Sequence, residues 1–420
     1  MKKVSTDVLP NGLRWYGQYD SARSGYVCGV GVRVGSAYDP HTKIGAAHLA
    51  EHVSFLQSKK YSPEDVYRKI HYIGGLDEIN VRVDNTSTFF GSPLMYAEKD
   101  ARDLLDMIAD VVKHGSFDTA GVASEKSAIH QEYFLTDADI PESLLYVKFL
   151  QTLNPKNPAF RPVVGDMNHI EAMTPQDVRS FVRRYYVPKN MFAIILGPRM
   201  SDVATIANEH FGDWGATTKP APDISAPPFS PLTRMRSHEE KRIGIHQYHV
   251  MIGYPTEHHM TRDAEALDVL NQVLQFRLIM RLRAANADFN KGVYRVRAYT
   301  DRTWLYGAFY IAFATSDQEY ALLCERIIQD EIRRLREDLI SEADFTGFSR
   351  AVMMNPLNAF KSVPQELTEL IVSATCNGDE DLAYLHNFKE RMSRLTRRKI
   401  RAAAQKYFTK HYARTIIAPA

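Results

Sequence analysis

Residues 45–55 read Gly-Ala-Ala-His-Leu-Ala-Glu-His-Val-Ser-Phe, and they place two histidines, His48 and His52, four residues apart. On a helix, positions four residues apart lie on one face, one turn from each other, so both imidazole rings can reach one metal ion. Glu51 lies beside them and can reach a water molecule at such an ion without binding the ion itself. The spacing is that of the inverzincin motif H-x-x-E-H, and it predicts a hydrolytic zinc site.

A third zinc ligand must come from elsewhere, because a catalytic zinc takes three protein ligands and leaves a fourth position for water or substrate. Glu125 and Glu132 lie seven residues apart in a helical pattern that starts near Asp118. Seven residues are about two turns, so the two carboxylates share a face and either could complete the site. If Glu132 is the ligand, Glu125 is placed to orient a ligand or Glu51. His130 lies two residues from Glu132 and projects from a nearly opposite side, so we discount it.

A duplication in the sequence supports this interpretation against the plainer one, that H-x-x-E-H is a set of surface or capping residues. Residues 173–186 align without gaps on residues 395–408, an offset of 222 residues that continues to 416–417. At this offset, none of the residues that match the five candidate site positions can bind zinc, so one half keeps the chemistry and the other only the fold. These counterparts are Leu270, Val273, Leu274, Gly347 and Met354.

With these features the chain resembles the M16 metallopeptidases (pitrilysin or insulinase-like), in particular the short M16B type similar to bacterial relatives of mitochondrial processing peptidase. The resemblance covers essentially the whole chain, and its motifs together are highly specific. The matching segments, in chain order, are 9–13, 34–36, 45–55, 74–75, Asn80, Thr88, Glu125, Glu132, 162–165, 173–175 and 186–190.

The resemblance implies a role for each candidate residue. It makes His48, His52 and Glu132 the ligands of one Zn²⁺ per chain, Glu51 the general base and Glu125 a supporting carboxylate. It also implies substrate contacts of two kinds. Residues 80–84, with Asn80 and Val81, read as an edge strand; it is either an ordinary sheet edge blunted by its charged residues or a strand that pairs with an extended peptide, and the resemblance favours pairing. Arg283 with Tyr294 resembles an arginine–tyrosine pair that approaches the substrate from the second half; the alternative is a helix-surface arginine and a buried strand tyrosine.

The fold class that we expect is α+β, with two homologous M16-type domains, each a mostly antiparallel sheet with helices packed on one face. The predicted ranges are 1–216 for the zinc-binding domain, 217–236 for a proline-rich linker and 237–420 for the degenerate domain. Strand patterns lie at 26–34, 80–90, 191–196, 246–253, 293–299 and 306–314. Helical patterns lie at 99–113, 119–135, 174–186, 263–285, 318–337, 341–354 and 396–407.

The composition fits a globular protein without a nucleic-acid surface. The chain has 420 residues, 45% of them hydrophobic, and a net charge of +2 with both signs interspersed. Its three cysteines are few and widely spaced, as in a reducing compartment. The first residues lack an apolar signal core, and no run reaches transmembrane length. We therefore expect a cytoplasmic protein that binds neither nucleic acid nor membrane.

The sequence favours a zinc-dependent endopeptidase that cuts peptides or unfolded and precursor segments. A general oligopeptidase and a dedicated processor of precursors both stay open. Short family members work as dimers, so we expect a homodimer, or a heterodimer with a second M16B subunit. The alternatives are a non-catalytic or weakly active M16 subunit that acts as a scaffold, and an unrelated α+β binding module. The scaffold class usually loses site residues, whereas all five remain here.

Overall fold

The computed structural model of the chain describes residues 4–21, 23, 25–56, 58–72, 80–92, 94–134, 141–198, 202–215, 224, 227–284, 293, 295–359 and 364–420. The chain forms two compact units. Each unit takes one segment from the half of the sequence that mainly forms the other. Unit 1 comprises Met1–Tyr133, Arg161–Ile224 and Pro356–His386, and unit 2 comprises Phe134–Phe160, Ser225–Asn355 and Asn387–Ala420.

Unit 1 contains a six-stranded sheet in the order β1-β2-β6-β3-β5-β4. All neighbouring strands are antiparallel except β2 and β6, which are parallel. The two central strands β3 and β6 are buried throughout, because they face packed side chains on both sides. The strands are β1 (Ser5–Val8), β2 (Arg14–Tyr19), β3 (Val27–Val32), β4 (Asn80–Val83), β5 (Thr88–Gly91) and β6 (Met191–Gly197).

Helices cover both faces of this sheet. Along β6, Ala193 and Ile195 point into the larger apolar cluster, which also holds helix residues such as Leu49 and Leu105. The alternate residues, such as Ile194, point to a second cluster that includes Leu367 and Ile371. The helices of unit 1 are α1 (Ala46–Ser54), α2 (Pro63–Tyr72), α3 (Glu98–His114), α4 (Thr119–Tyr133), α6 (Met167–Ala172), α7 (Pro175–Tyr185), α8 (Val203–Phe211), α12 (Pro364–Cys376) and α13 (Ala383–His386).

Unit 2 contains a five-stranded sheet in the order β7-β11-β8-β10-β9, again antiparallel apart from one parallel pair, β7 with β11. Helix α5 packs on β8 and β11. The strands are β7 (Arg236–Arg242), β8 (Tyr248–Thr256), β9 (Val296–Arg302), β10 (Gly307–Thr315) and β11 (Ala413–Pro419). The helices are α5 (Pro141–Leu153), α9 (Ala264–Ala284), α10 (Gln318–Glu337), α11 (Glu342–Ala359), α14 (Phe388–Ser393) and α15 (Arg397–Tyr407).

The two sheets confirm the predicted α+β class and the duplication. Without β1, unit 1 has the same strand order as unit 2. The threonine before α7 and the threonine before α15 stand 222 residues apart, and each caps its helix: Thr174 accepts a hydrogen bond from the Asp177 backbone and Thr396 from the Lys399 backbone. The sequence did not predict α5 or α12, which cover the second face of each sheet.

The predicted strand at 80–90 is wrong as a single element, because the chain turns back between β4 and β5. The Asp84 side chain accepts hydrogen bonds from the backbone N–H groups of Thr86 and Ser87, at 2.6 and 2.7 Å. An aspartate that bonds to the backbone two and three residues later stabilises a turn. The resulting hairpin makes β4 an edge strand, as we predicted for residues 80–84.

Among the described residues, no helix is both long and apolar enough to cross a bilayer.

Candidate metal centre

Helix α1 presents its two histidines to one point. The rings of His48 and His52 meet edge to face, with centroids 4.6 Å apart. Their Nε2 atoms lie 3.1 Å from each other. Since the two residues are one turn apart, the helix itself produces this convergence. His48 is buried, and His52 is partly exposed.

Glu132 of α4 supplies a carboxylate oxygen to the same point. Its Oε2 lies 3.4 Å from His48 Nε2 and 3.5 Å from His52 Nε2. A tetrahedral zinc ion about 2.0–2.1 Å from each donor holds its donor atoms about 3.3 Å apart. The three donors therefore have the types and the separations that zinc requires. Within the described residues, this is the group of three His, Cys, Asp or Glu side chains able to hold a metal ion.

Hydrogen bonds fix which ring nitrogens face the point of convergence. His52 Nδ1 lies 3.0 Å from Glu125 Oε2, and His48 Nδ1 lies 3.3 Å from the Val164 carbonyl oxygen. Carboxylates and carbonyls accept, so both Nδ1 atoms carry the hydrogen and donate. Both Nε2 atoms then face each other and the Glu132 carboxylate, an arrangement that a positive charge between them, a proton or a metal ion, stabilises.

The charges of the cluster shift the pKa values of its members. Burial lowers the pKa of His52, but hydrogen bonds to Glu125 and Glu132 outweigh it and raise that pKa to about 10. The imidazoles of His48 and His52 hold the pKa of Glu132 well below its usual range. Both shifts have one cause: the carboxylates stabilise the protonated form of the imidazole, and the imidazoles stabilise the ionised form of the carboxylate.

Glu51 is a buried carboxylate beside the donors, with 7% of its surface exposed. Its Oε2 lies 3.8 Å from His52 Nε2. Burial raises the pKa of Glu51, while the neighbouring imidazoles act in the opposite direction. Tyr186, which is also buried, has its pKa raised by burial and then by the Glu51 charge. A buried carboxylate next to a possible metal position is placed to take a proton from a water molecule there and to return it.

Two features that hold α1 in place were not predicted from the sequence. Asp39 accepts hydrogen bonds from the backbone of Gly45 and Ala47 at the start of the helix. Gly165, with φ of +100°, lies against Gly45, which has φ of +104°. The loop that folds back between residue 39 and α1 gives no periodic pattern, so a single sequence carries no direct sign of the Asp39 contact.

The predicted substrate residues are described only in part. Val81 lies on the edge strand β4, as does the backbone of Asn80, whose side chain lies outside the described residues. The backbone of Arg283 belongs to α9, its side chain is outside the described set, and Tyr294 lies wholly outside it. His130 is exposed on α4 and does not join the three donors.

Unit 2 has no counterpart of this cluster at the equivalent positions. Leu270, Val273 and Leu274 are fully buried in the apolar core of that unit. On α11, the counterpart of Glu125 is Gly347 and that of Glu132 is Met354. The first three counterparts thus belong to the apolar core, and Met354 is an exposed thioether side chain where unit 1 has a carboxylate.

The sequence matches two known protein families and several named relatives. Residues 18–166 match the family described as insulinase (peptidase family M16), and residues 172–350 match the peptidase M16 inactive domain. An uncharacterized zinc protease of Mycobacterium leprae is 28% identical over 345 residues, which are 81% of this chain and 75% of that protein. One from Mycobacterium tuberculosis is 25% identical over 419 residues, 98% of this chain and 92% of that protein.

A solved structure shares the fold. The crystal structure of a protease from Helicobacter pylori superimposes with a TM-score of 0.87 at 19% identity, and the match covers all of both chains.

Proposed function

The chain belongs to peptidase family M16, and from that premise we propose that it is a zinc-dependent metalloendopeptidase. Its substrates would be peptides or unfolded and precursor segments of polypeptides. One observation carries the proposal: two imidazole nitrogens and a carboxylate oxygen lie within 3.5 Å of one another, beside the buried carboxylate of Glu51.

His48, His52 and Glu132 would hold one zinc ion. When bound, zinc would lower the pKa of a water molecule to about 7 and polarise the scissile carbonyl. Glu125 keeps His52 oriented through its 3.0 Å hydrogen bond, and the Val164 carbonyl does the same for His48. Such supporting contacts fix the ring orientation and make the ligating nitrogen more basic.

Glu51 would act as the general base. It takes a proton from the attacking water as the new C–O bond forms, and returns that proton to the amine nitrogen as the peptide C–N bond breaks. Its burial supports this role, because burial raises its pKa and so makes the protonated form accessible during the reaction.

Peptide binding would use the edge of the sheet in unit 1. A peptide that adds to β4 hydrogen-bonds through its backbone, so recognition tolerates many sequences but requires an extended, unfolded segment. Asn80 and Val81 would contact the substrate there. We extend the proposal to Arg283 and Tyr294 as substrate contacts from unit 2, on the basis of the family resemblance.

The assembly that we propose is a homodimer, or a heterodimer with a second M16 chain. The basis is again the resemblance to short members of the family. We propose a cytoplasmic location, because the three cysteines are few and are all free thiols, as is usual in a reducing compartment.

The test is Glu51→Gln in the full chain. We expect this variant to bind zinc and to fold like the wild type, yet to lose peptide cleavage by about 10²- to 10⁴-fold, the usual contribution of a general base. A peptide library with sequenced products gives the assay and the cleavage preference together. Glu64→Gln, which removes the same charge from an exposed residue of α2, is the matched control. Substantial turnover by Glu51→Gln would reject the assignment.

A non-catalytic M16 subunit is the second candidate function. It draws on the match of residues 172–350 to an inactive domain, although all five candidate residues lie outside that range. Purified wild type that contains no zinc and cleaves no peptide would favour it. Zinc content with cleavage that a chelator stops would favour the peptidase.

A further inference from the structure

Asp39 is a buried carboxylate that caps a helix from outside it, with 3% of its surface exposed. Its Oδ2 accepts a hydrogen bond from the Gly45 backbone at 2.6 Å, and its Oδ1 accepts one from the Ala47 backbone at 2.8 Å. The first N–H groups of a helix have no partner within the helix. Asp39 satisfies that of Ala47 from a side chain that lies at the N-terminal end of α1.

The usual capping position of α1 cannot supply this acceptor. That position is Gly45, which has no side chain and whose φ of +104° favours glycine. A Cβ added to Gly45 would stand 2.8 Å from an Ile170 side-chain carbon and 3.0 Å from the Gly165 Cα. The close packing therefore requires glycine at the cap, and the capping function passes to Asp39.

The capped turn carries the first histidine. His48 follows Ala47 directly, so the Asp39 hydrogen bond holds the peptide unit between Ala46 and Ala47, one residue before the histidine. The other side of His48 is held by the Val164 carbonyl, from the residue before Gly165. Arg161 donates a hydrogen bond to the backbone oxygen of Asp39, which ties the capping residue to the same segment.

We propose that Asp39 is a positioning residue of the metal centre: it fixes the first turn of α1, and thereby places His48 against His52 and Glu132. The inference rests on the proposed zinc site. It assigns to Asp39 no contact with substrate or metal. Its effect is transmitted through backbone hydrogen bonds, so its loss should change the binding of the metal before it changes the fold.

The chain offers a matched control in Asp379. This aspartate is 4% exposed, and its two oxygens accept hydrogen bonds from the backbone N–H groups of Tyr384 and Leu385, both at 2.8 Å. It caps α13, which carries none of the candidate site residues. Asp39→Asn and Asp379→Asn thus remove one oxygen acceptor each from two buried double-acceptor caps in unit 1.

The experiment compares wild type, Asp39→Asn and Asp379→Asn for zinc affinity, for the visible spectrum of the Co²⁺-substituted protein, and for thermal stability. We expect Asp39→Asn to bind zinc about 10- to 100-fold more weakly, the range for residues that orient metal ligands, with an altered Co²⁺ spectrum. Asp379→Asn should match the wild type in affinity and spectrum even if it unfolds at a lower temperature.

Two results would overturn the inference while the zinc site stands: wild-type affinity and spectrum in Asp39→Asn, or equal weakening in both variants. A wild type that binds no zinc would overturn the zinc site and the inference together. If Asp39→Asn does not fold, Asp39→Glu and Asp379→Glu replace the pair. Each glutamate keeps both acceptors on a side chain one methylene longer. A Co²⁺ spectrum that changes in Asp39→Glu but not in Asp379→Glu supports the inference. Unchanged spectra in both glutamate variants reject it.

Discussion

Removing the Glu125 carboxylate should weaken zinc binding in graded steps. Its Oε2 accepts the His52 Nδ1 hydrogen at 3.0 Å, and only 12% of the side chain is exposed. A hydrogen bond to a charged partner contributes about 1.5–3 kcal/mol, and a neutral one about 0.5–1.5 kcal/mol. Glu125→Gln keeps an acceptor but loses the charge, so it should cost about 1 kcal/mol, or roughly fivefold in zinc affinity.

Glu125→Ala removes the acceptor as well and leaves His52 Nδ1 without its partner. The expected loss is about 10- to 100-fold in zinc affinity. Competition with a chelator of known zinc affinity at neutral pH measures both variants against the wild type. His130→Ala is the control, since His130 is exposed on the same helix and lies outside the donor group.

The ordering of these variants decides whether the geometry has been interpreted correctly. Wild type and His130→Ala should bind equally, Glu125→Gln more weakly, and Glu125→Ala most weakly. If Glu125→Ala binds zinc as tightly as the wild type, the hydrogen bond to His52 does not support the metal site. If His130→Ala is the weakened variant, the wrong face of α4 has been assigned.

Two further predictions concern the segments that hold α1. Gly165→Ala should destabilise the fold by about 1–3 kcal/mol in urea unfolding, because φ is +100° there and a Cβ would stand 2.7 Å from the Gly45 Cα. The control is Gly215→Ala, whose Cβ would have no neighbour within 4 Å and which should change stability by less than about 0.5 kcal/mol. Equal effects of the two substitutions would contradict the packing argument. The Asp177 carboxyl should titrate near pH 2 by NMR, because its hydrogen bond with Lys43 lowers the pKa from 3.8 to about 2. This contact therefore stabilises the fold above about pH 4, and the stabilisation is lost as pH falls through about 2. A titration midpoint near pH 4 would show that the pair does not form.

The fold class could be predicted because the two halves of the sequence carry the same local signals, such as helix caps, at equivalent positions. Thr174 and Thr396 stand at equivalent positions and each caps the helix that follows it. The same offset predicted that the second half lacks the zinc chemistry, and the structure buries Leu270 and Leu274 in an apolar core. Helical spacing likewise predicted that His48 and His52 share a face of α1, as the structure has them.

Other features could not be predicted, because they depend on contacts between segments distant in sequence. Helix α12 packs on the sheet of unit 1 through residues such as Leu367, and nothing in its own pattern says which sheet it covers. The β4–β5 turn depends on hydrogen bonds of the Asp84 side chain. The strand pattern at 80–90 continues across this turn, so the pattern alone predicts one strand. Asp39 caps a helix whose first residue is Ala46, at a distance along the chain that capping rules do not cover.

Anomalous scattering at the zinc absorption edge, measured on crystals of the wild-type protein grown with zinc, tests the central claim most directly. The account predicts one strong peak per chain, about 2.0–2.2 Å from His48 Nε2, His52 Nε2 and a Glu132 carboxylate oxygen. A peak elsewhere in the chain, or none between α1 and α4, would contradict it.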